Sequence, residues 1–314
     1  MSAPRIRLGQ SDLHVFPLNL GGNVFGWTAD EATSFAVLDA YAAAGGNFID
    51  TADSYSAWVE GHTGGESERL IGAWMKARNN RAQMVIATKV ARHPDFKGLA
   101  PKNVQAACDA SLQRLQTDRI DLYYAHFDDL EVPIADIAGA FSRLVDAGKV
   151  RHIAPSNFTA ERLDGWFAAT RASGLHAPVA LQPHYSLVER GFETNGLRAV
   201  AERHQLGVLP YFSLAKGFLA GKYRPGKTVD SARAGGASQY LNERGLRVLA
   251  ALDRIAAAHR VPVAAVALAW LRVQPTVAAP IASARTVDQL RELLPSVTVA
   301  LTADALATLT KASE

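Results

Sequence analysis

Apolar runs bounded by turn residues recur eight times along the chain: LNLGG (18–22), NFIDTA (47–52), MVIATKV (84–90), IDLYYAH (120–126), VRHIAPSN (150–157), VALQPHY (179–185), GVLPYF (207–212) and VAAPIAS (277–283). Each has the length and make-up of a strand covered on both faces. Helix-period segments separate them, at 30–44, 65–78, 102–116, 133–147, 159–172, 195–205, 241–274 with a break at Pro262, and 286–294. Start signals are legible at two of these, Thr28 ahead of the first and Thr159 with Glu161 and Arg162 at the fifth. The opening RIRLG and LHVFPL predict a short hairpin before the first run.

Strand and helix in strict alternation imply parallel pairing, because each strand has to cross back over one face of the sheet. Eight such units in 314 residues fit a closed (β/α)8 barrel, one domain over 1–314, better than an open doubly wound sheet. The glycine-rich first turn of the open form is missing, since no G-x-G-x-x-G occurs. GFLAGKY, with Gly217, Gly221 and Lys222, has three residues between its glycines where a phosphate loop has four, and Tyr223 where that loop has Ser or Thr. The stretch 213–240, rich in Gly, Lys and Arg, is the longest connection and is expected to close over a ligand.

Composition supports a folded globular chain, 48% hydrophobic and 20% charged. A formal charge of +3 with scattered basic residues weighs against nucleic acid or an acidic membrane as partner. Cys108 is the one cysteine, so it forms no internal disulfide and no Cys-x-x-Cys zinc site, and it is expected to pack within the helical segment 102–116. The N-terminus MSAPRIRLG lacks an apolar signal region and no 18-residue apolar stretch occurs, from which a cytoplasmic location is expected. No His, Asp or Glu cluster has the spacing of H-E-x-x-H, so no metal is expected.

Candidate chemistry lies where three runs stop. NFID ends on Asp50, MVIATK on Lys89 and IDLYYAH on His126, with Tyr55 just beyond the first. In a barrel those C-terminal strand ends form the active face. A tyrosine hydroxyl, with a reference pKa of about 10, donates poorly at neutral pH unless a cation stabilises the phenolate. Lys89 is the candidate cation, and a shift of about two units takes roughly 2.7 kcal/mol of preferential stabilisation. A buried ammonium needs a counterion, and Asp50 is the strand-end carboxylate nearby. His126 is then placed to hydrogen-bond and orient a carbonyl.

IDTADSY with GESERLIG, then ASLQRLQTDRIDLYYAH, then GKVRHIAPSNF, resemble the successive motifs of the aldo-keto reductase family, over most of the chain from RIRLG to QLREL. The resemblance implies a (β/α)8 TIM barrel that binds a nicotinamide cofactor without a Rossmann motif and reduces carbonyl compounds, with Tyr55 as general acid, Lys89 and Asp50 tuning it and His126 orienting the carbonyl. It implies that Ser156, Asn157 and Gln182 hold the carboxamide and that Tyr211 stacks on the nicotinamide ring. Ser213, Leu214, Lys216, Gly217 and Lys222 fall where the family's seventh loop covers the pyrophosphate, and Ser283, Arg285, Gln289 and Glu292 where it meets the adenosine. Gly22, Asn23, Phe212 and Ile281 also count as cofactor contacts, and Arg233 assists at the phosphates.

A guanidinium such as Arg285 suits a 2′-phosphate, so NADPH is favoured over NADH. The substrate would enter past Phe25, Trp27, Trp58 and Phe127. The chain ends about twenty residues after Pro295, leaving little tail to narrow the pocket, so broad acceptance of aldehydes or small ketones is expected. Departures from the family pattern are Ala154 and Pro155 for a glycine and an aliphatic residue, Phe212 and Ser213 for a Ser-Pro pair, IASAR for a Pro-Lys-Ser segment, and Leu293 for an adenine-contacting Asn. A second reading is a cofactor-bound regulatory subunit of the same fold with negligible turnover, as in the potassium-channel β-subunit relatives. A third, a metal-dependent or phosphate-handling barrel, lacks the ligand spacing it would need. The sequence leaves oligomeric state and natural substrate open.

Overall fold

VIATKV and IDLYYA are buried at every position, as strands must be when a helical layer covers one face and a barrel interior the other. They are β5 (Val85–Val90) and β8 (Ile120–Ala125) of a computed structural model that describes residues 4–229 and 234–314. The hairpin is β1 (Ile6–Arg7) and β2 (His14–Val15), paired antiparallel. The other barrel strands are β3 (Asn19–Gly21), β4 (Phe48–Asp50), β9 (Val150–Pro155), β10 (Ala180–Leu181), β11 (Gly207–Val208) and β12 (Ile281–Ala282). A second small hairpin, β6 (Arg92–His93) and β7 (Phe96–Lys97), was not expected and follows β5 directly.

The parallel ladder runs β12-β3-β4-β5-β8-β9, with β10 and β11 forming a separate parallel pair. Bridges complete the ring: Ser156 pairs with Gln182 beyond β9, and Val208 pairs with Val277. Ala278 donates to the Val208 carbonyl and Ile281 to that of Pro210, each at 2.9 Å. All eight expected runs therefore lie in one (β/α)8 barrel, most of them shorter as strands than the apolar run that announced them. Leu8, Leu13 and Val15 from the first hairpin pack with Phe48, Leu122, Tyr124 and Leu209 in the barrel interior, stopping the cylinder at its lower end. Gly9 makes this possible, since a Cβ there would lie 2.2 Å from the Val179 carbonyl, and its φ is +54°.

The helical layer comprises α1 (Glu31–Ala43), α2 (Glu66–Arg78), α3 (Pro101–Leu115), α4 (Ile134–Asp146), α5 (Ala160–Ser173), α6 (Leu197–Arg203), α7 (Ala234–Ser238), α8 (Glu243–His259), α9 (Val263–Arg272), α10 (Val287–Leu293) and α11 (Ala303–Ala312). Thr159 caps α5 as expected, accepting from the Arg162 N–H. Thr28 does not cap α1: Asp30 does, accepting from the Thr33 N–H at 2.9 Å. The 241–274 segment is two helices bent by 98° at the break. The long connection holds a 3-10 turn (Ala215–Ala220) and α7. The C-terminal tail forms α11, which the sequence reading omitted; Trp270 in α9 donates to Thr310, and none of α11 reaches the cavity described below. Cys108 is buried in α3. No single helix among the described residues is long and apolar enough to cross a membrane.

One buried carboxylate ties the helical layer to the strand that carries Lys89. Glu68 in α2, with no exposed surface, accepts from Arg114 Nε in α3 and from Thr88 Oγ1 in β5, both at 2.5 Å. Removing one partner of such a pair leaves a buried charge uncompensated, at about 3–5 kcal/mol. Glu68→Ala is expected to lower stability by that order, and Glu68→Met with Arg114→Leu to recover much of it; thermal denaturation of the three proteins measures this, and equal losses in both variants would refute the pairing argument.

Candidate active site

The ladder pairs Asp50 with Ala87, and Lys89 lies two residues further along β5, so both side chains face the same side of the wall. The Lys89 ammonium has three N–H donors and three partners: Asp50 Oδ2 at 2.5 Å, the Thr51 carbonyl at 2.6 Å and the Tyr55 hydroxyl at 3.1 Å. Asp50 Oδ1 accepts from Gln182 Nε2 at 2.8 Å. Burial works against charge on Lys89, but Asp50 and Tyr55 outweigh it and raise its pKa, so the ammonium persists. On Asp50 burial prevails and raises the carboxyl, with Lys89 and Gln182 acting against it.

The His126 ring lies 6.2 Å from the Tyr55 ring, edge to face. Its Nδ1 is buried without a hydrogen-bond partner among the described residues. Burial first, then the charges of Lys89 and Arg92, push its pKa well below the usual imidazole range. The ring is neutral and carries one proton, which is better placed on Nε2, since Nδ1–H would find no acceptor. Sequence reading thus brought together four groups that the fold does bring together.

A cavity of about 1050 Å³ opens above them. At its inner end a continuous polar chain runs through four expected residues. Tyr211 donates to Asn157 Oδ1 at 2.7 Å, and Asn157 Nδ2 donates to the His126 carbonyl at 2.9 Å and to Ser156 Oγ at 3.0 Å. Ser156 Oγ donates to the Gln182 carbonyl at 2.9 Å. His184 stacks on Tyr211 at 5.1 Å and 12° between planes, backing the ring that the cavity meets. Phe212, Ser213, Leu214, Lys216, Gly217 and Lys222 line the limb beneath the long connection. Lys216 and Gly217 take left-handed conformations, with φ of 59° and 99°, and turn the chain around this limb.

The outer limb is lined by Asn23, Ile281, Ser283, Arg285, Gln289 and Glu292, with Leu293 among them. Ser283 Oγ donates to Asn23 Oδ1 at 2.7 Å, and Gln289 Oε1 accepts from the Arg285 N–H at 2.9 Å. Trp27, Trp58 and Phe127 line the opposite end, near Tyr55.

Three expected residues do not line the cavity. One is Lys89, fully buried, which reaches it only through its partners Asp50 and Tyr55. Phe25 is fully buried in the core between barrel and helices, where its carbonyl accepts from Ser56 Oγ. Gly22 is turned to the wall, donating to the Asp50 carbonyl at 2.7 Å and accepting from Ser67 at 2.7 Å; Gly21 lines the cavity instead. A Cβ on Gly21 would come within 2.5 Å of Ser283 Oγ. Arg233 lies outside the described residues. Among the polar side chains that line the cavity, sequence reading missed Thr28, Ser54 and Arg92. Arg92 carried a legible signal, a guanidinium three residues past Lys89 at the same strand top.

The Aldo/keto reductase family model matches residues 17–314. The chain belongs to the aldo/keto reductase family. It is similar to "Protein tas" of Escherichia coli (strain K12), 34% identical over 96% of this chain and 95% of that protein. It is similar also to "Norsolorinic acid reductase B" of Aspergillus parasiticus, 33% identical over 93% of this chain and 79% of that protein. A third relative is "Uncharacterized oxidoreductase YrpG" of Bacillus subtilis (strain 168), 34% identical over 94% of this chain and 91% of that protein. This aldo/keto reductase is accordingly an oxidoreductase, of a family that works with NAD(P)H.

One acid of this aldo/keto reductase stands apart from the tetrad. Asp53 is fully buried two residues before Tyr55, and neither carboxyl oxygen has a hydrogen-bond partner among the described residues. Burial, reinforced by Glu68, pushes its pKa well above the usual carboxylate range. A carboxyl raised on folding adds stability only below its unfolded pKa of about 3.9, and that stability is lost as pH rises through the folded value. Asp53→Asn, which keeps the shape without the charge, should therefore gain on the native protein as pH rises from 5 to 8. Melting temperatures of both across that range test it; a constant difference would mean that Asp53 titrates alike folded and unfolded.

Proposed function

We propose that this protein reduces aldehydes or ketones to alcohols with NADPH, Tyr55 supplying the proton. The observation that carries the reading is the Lys89 ammonium 3.1 Å from the Tyr55 oxygen while Asp50 and the Thr51 carbonyl hold its other two protons. A phenol in that contact releases its proton onto a carbonyl oxygen and leaves a phenolate that faces a fixed positive charge. His126, neutral, donates a hydrogen bond to the same oxygen and sets its direction.

The residues present fit a nicotinamide dinucleotide. Tyr211 offers a ring backed by His184, the Ser156, Asn157 and Gln182 chain offers amide and hydroxyl groups beside it, and Lys216, Lys222 and Arg285 line the remaining limbs with positive charge. Bound there, the nicotinamide supplies hydride to the carbonyl carbon. Arg285 is the residue for a 2′-phosphate, because a planar guanidinium pairs with phosphate oxygens two at a time. The Aspergillus parasiticus relative is by its name a reductase. The substrate is a small carbonyl compound entering beside Trp27 and Trp58, whose rings stand 5.5 Å apart at 88°.

Tyr55→Phe removes only the proton that is transferred. It is expected to lower the turnover of NADPH with 4-nitrobenzaldehyde by about 10²–10⁴-fold while NADPH still binds, measured by steady-state rates and cofactor titration. A variant as active as the native protein would discard the role of Tyr55, and a native protein that binds NADPH without oxidising it would favour a regulatory subunit. Arg285→Ala is expected to weaken NADPH binding by tenfold or so and NADH far less; equal losses in the two titrations would place the 2′-phosphate elsewhere.

A further inference from the structure

Arg92 is a charge at the substrate end of the cavity to which the proposed reaction assigns neither proton nor hydride. It opens β6, is exposed and lines the cavity beside Tyr55 and His126. Its guanidinium carbon lies 4.1 Å from the centre of the Phe127 ring, and that ring lies 5.1 Å from the ring of His126. No ion pair or side-chain hydrogen bond of Arg92 is formed among the described residues. The nearest acids along the chain from Phe127 are engaged elsewhere. Asp128 is held by two nitrogens of Arg162 at 2.7 and 2.8 Å, and Asp129 accepts from the Leu99 and Glu131 N–H groups.

A guanidinium lying over an aromatic ring satisfies its face and leaves its N–H edge, the edge that pairs with a carboxylate in two parallel hydrogen bonds. Aromatic rings dominate the walls at this end, with Thr28 and Ser54 among them: Trp58 contacts Tyr55 at 6.1 Å between ring centres, and Trp27 contacts Trp58. No carboxylate lines this end apart from Asp50, which Lys89 and Gln182 already hold. We propose that the preferred substrates are acidic carbonyl compounds, carrying a carboxylate about one aromatic ring away from the reacting carbonyl, and that Arg92 binds that carboxylate. The inference rests on the reductase reading for its carbonyl half; the anion site stands on Arg92 alone.

The experiment compares 4-carboxybenzaldehyde with its neutral analogue methyl 4-formylbenzoate, in the native protein and in Arg92→Gln, with NADPH. The native protein is expected to favour the acid by tenfold or more in kcat/KM, chiefly through KM, and Arg92→Gln to reduce that ratio to about twofold or less. The same ratio in both proteins would overturn the proposal. A calorimetric titration of benzoate against benzamide, in the presence of NADP, reads the anion site without turnover: benzoate should bind about tenfold more tightly in the native protein and lose that advantage in Arg92→Gln. Equal affinities would overturn the anion site even if both aldehydes are reduced. Discrimination of benzoate with no reduction of either aldehyde would retain the site and remove the reductase reading.

Discussion

The contact on which the site depends is the buried pair of Lys89 and Asp50, with side-chain exposures of 0% and 2%. Removing either charge from water costs several kcal/mol, and mutual attraction offsets this only where the remaining protons and lone pairs are also met. Here they are. Two neighbouring strands supply the charges, the loop above β4 supplies the Thr51 carbonyl, and Gln182 just beyond β10 satisfies the outer oxygen of Asp50. The third proton of Lys89 has Tyr55 for its partner, so the most demanding contact in the barrel also fixes the phenol. Fold and chemistry meet in one hydrogen-bond set.

Why so much of this was legible in the sequence follows from the same cost. A charge at the end of an otherwise apolar run is costly to bury, so NFID, MVIATK and IDLYYAH mark the ends at which polar groups gather, and eight apolar runs with helices between them leave few topologies besides a barrel. Strand lengths were less legible: β10 and β11 have only two residues each, and beyond them pairing goes on only as isolated bridges around Pro183 and Pro210, which have no N–H to give the ladder. Thr28 and Asp30 are both good caps by residue type, and only backbone geometry decides for Asp30. Phe25 and Trp27 are two residues apart in one loop; which aromatic turns inward depends on packing against the helices, which periodicity does not carry over so short a span. In α11, Thr302 caps the helix and Leu309 is buried, a weak amphipathic signal in an alanine- and threonine-rich tail.

The cavity divides by charge as well as by shape. Lys216, Lys222 and Arg285 line the limbs away from the tetrad, where a dinucleotide would carry its phosphates, whereas the inner end pairs its charges and presents amides and hydroxyls. A nicotinamide ring is suited to the second environment and phosphates to the first, so the polarity of the walls alone sets one direction for the ligand. Gly21 belongs to the same logic, since any side chain there would meet Ser283 in the cavity wall.

In the proposed reaction, the neutral state of His126 then decides which group would act as the acid. Burial holds its pKa well down, and two cations at one strand top, Lys89 in β5 and Arg92 just beyond it, hold it lower still. An imidazolium in that place would compete with the phenol to protonate a carbonyl oxygen and would repel the ammonium on which Tyr55 relies. A neutral ring retains one N–H, enough to orient the oxygen and too weakly acidic to give its proton up. In the proposed reaction the positive charge that would prepare Tyr55 to release a proton also acts, with burial, to withhold one from His126, which would leave proton delivery to a single group.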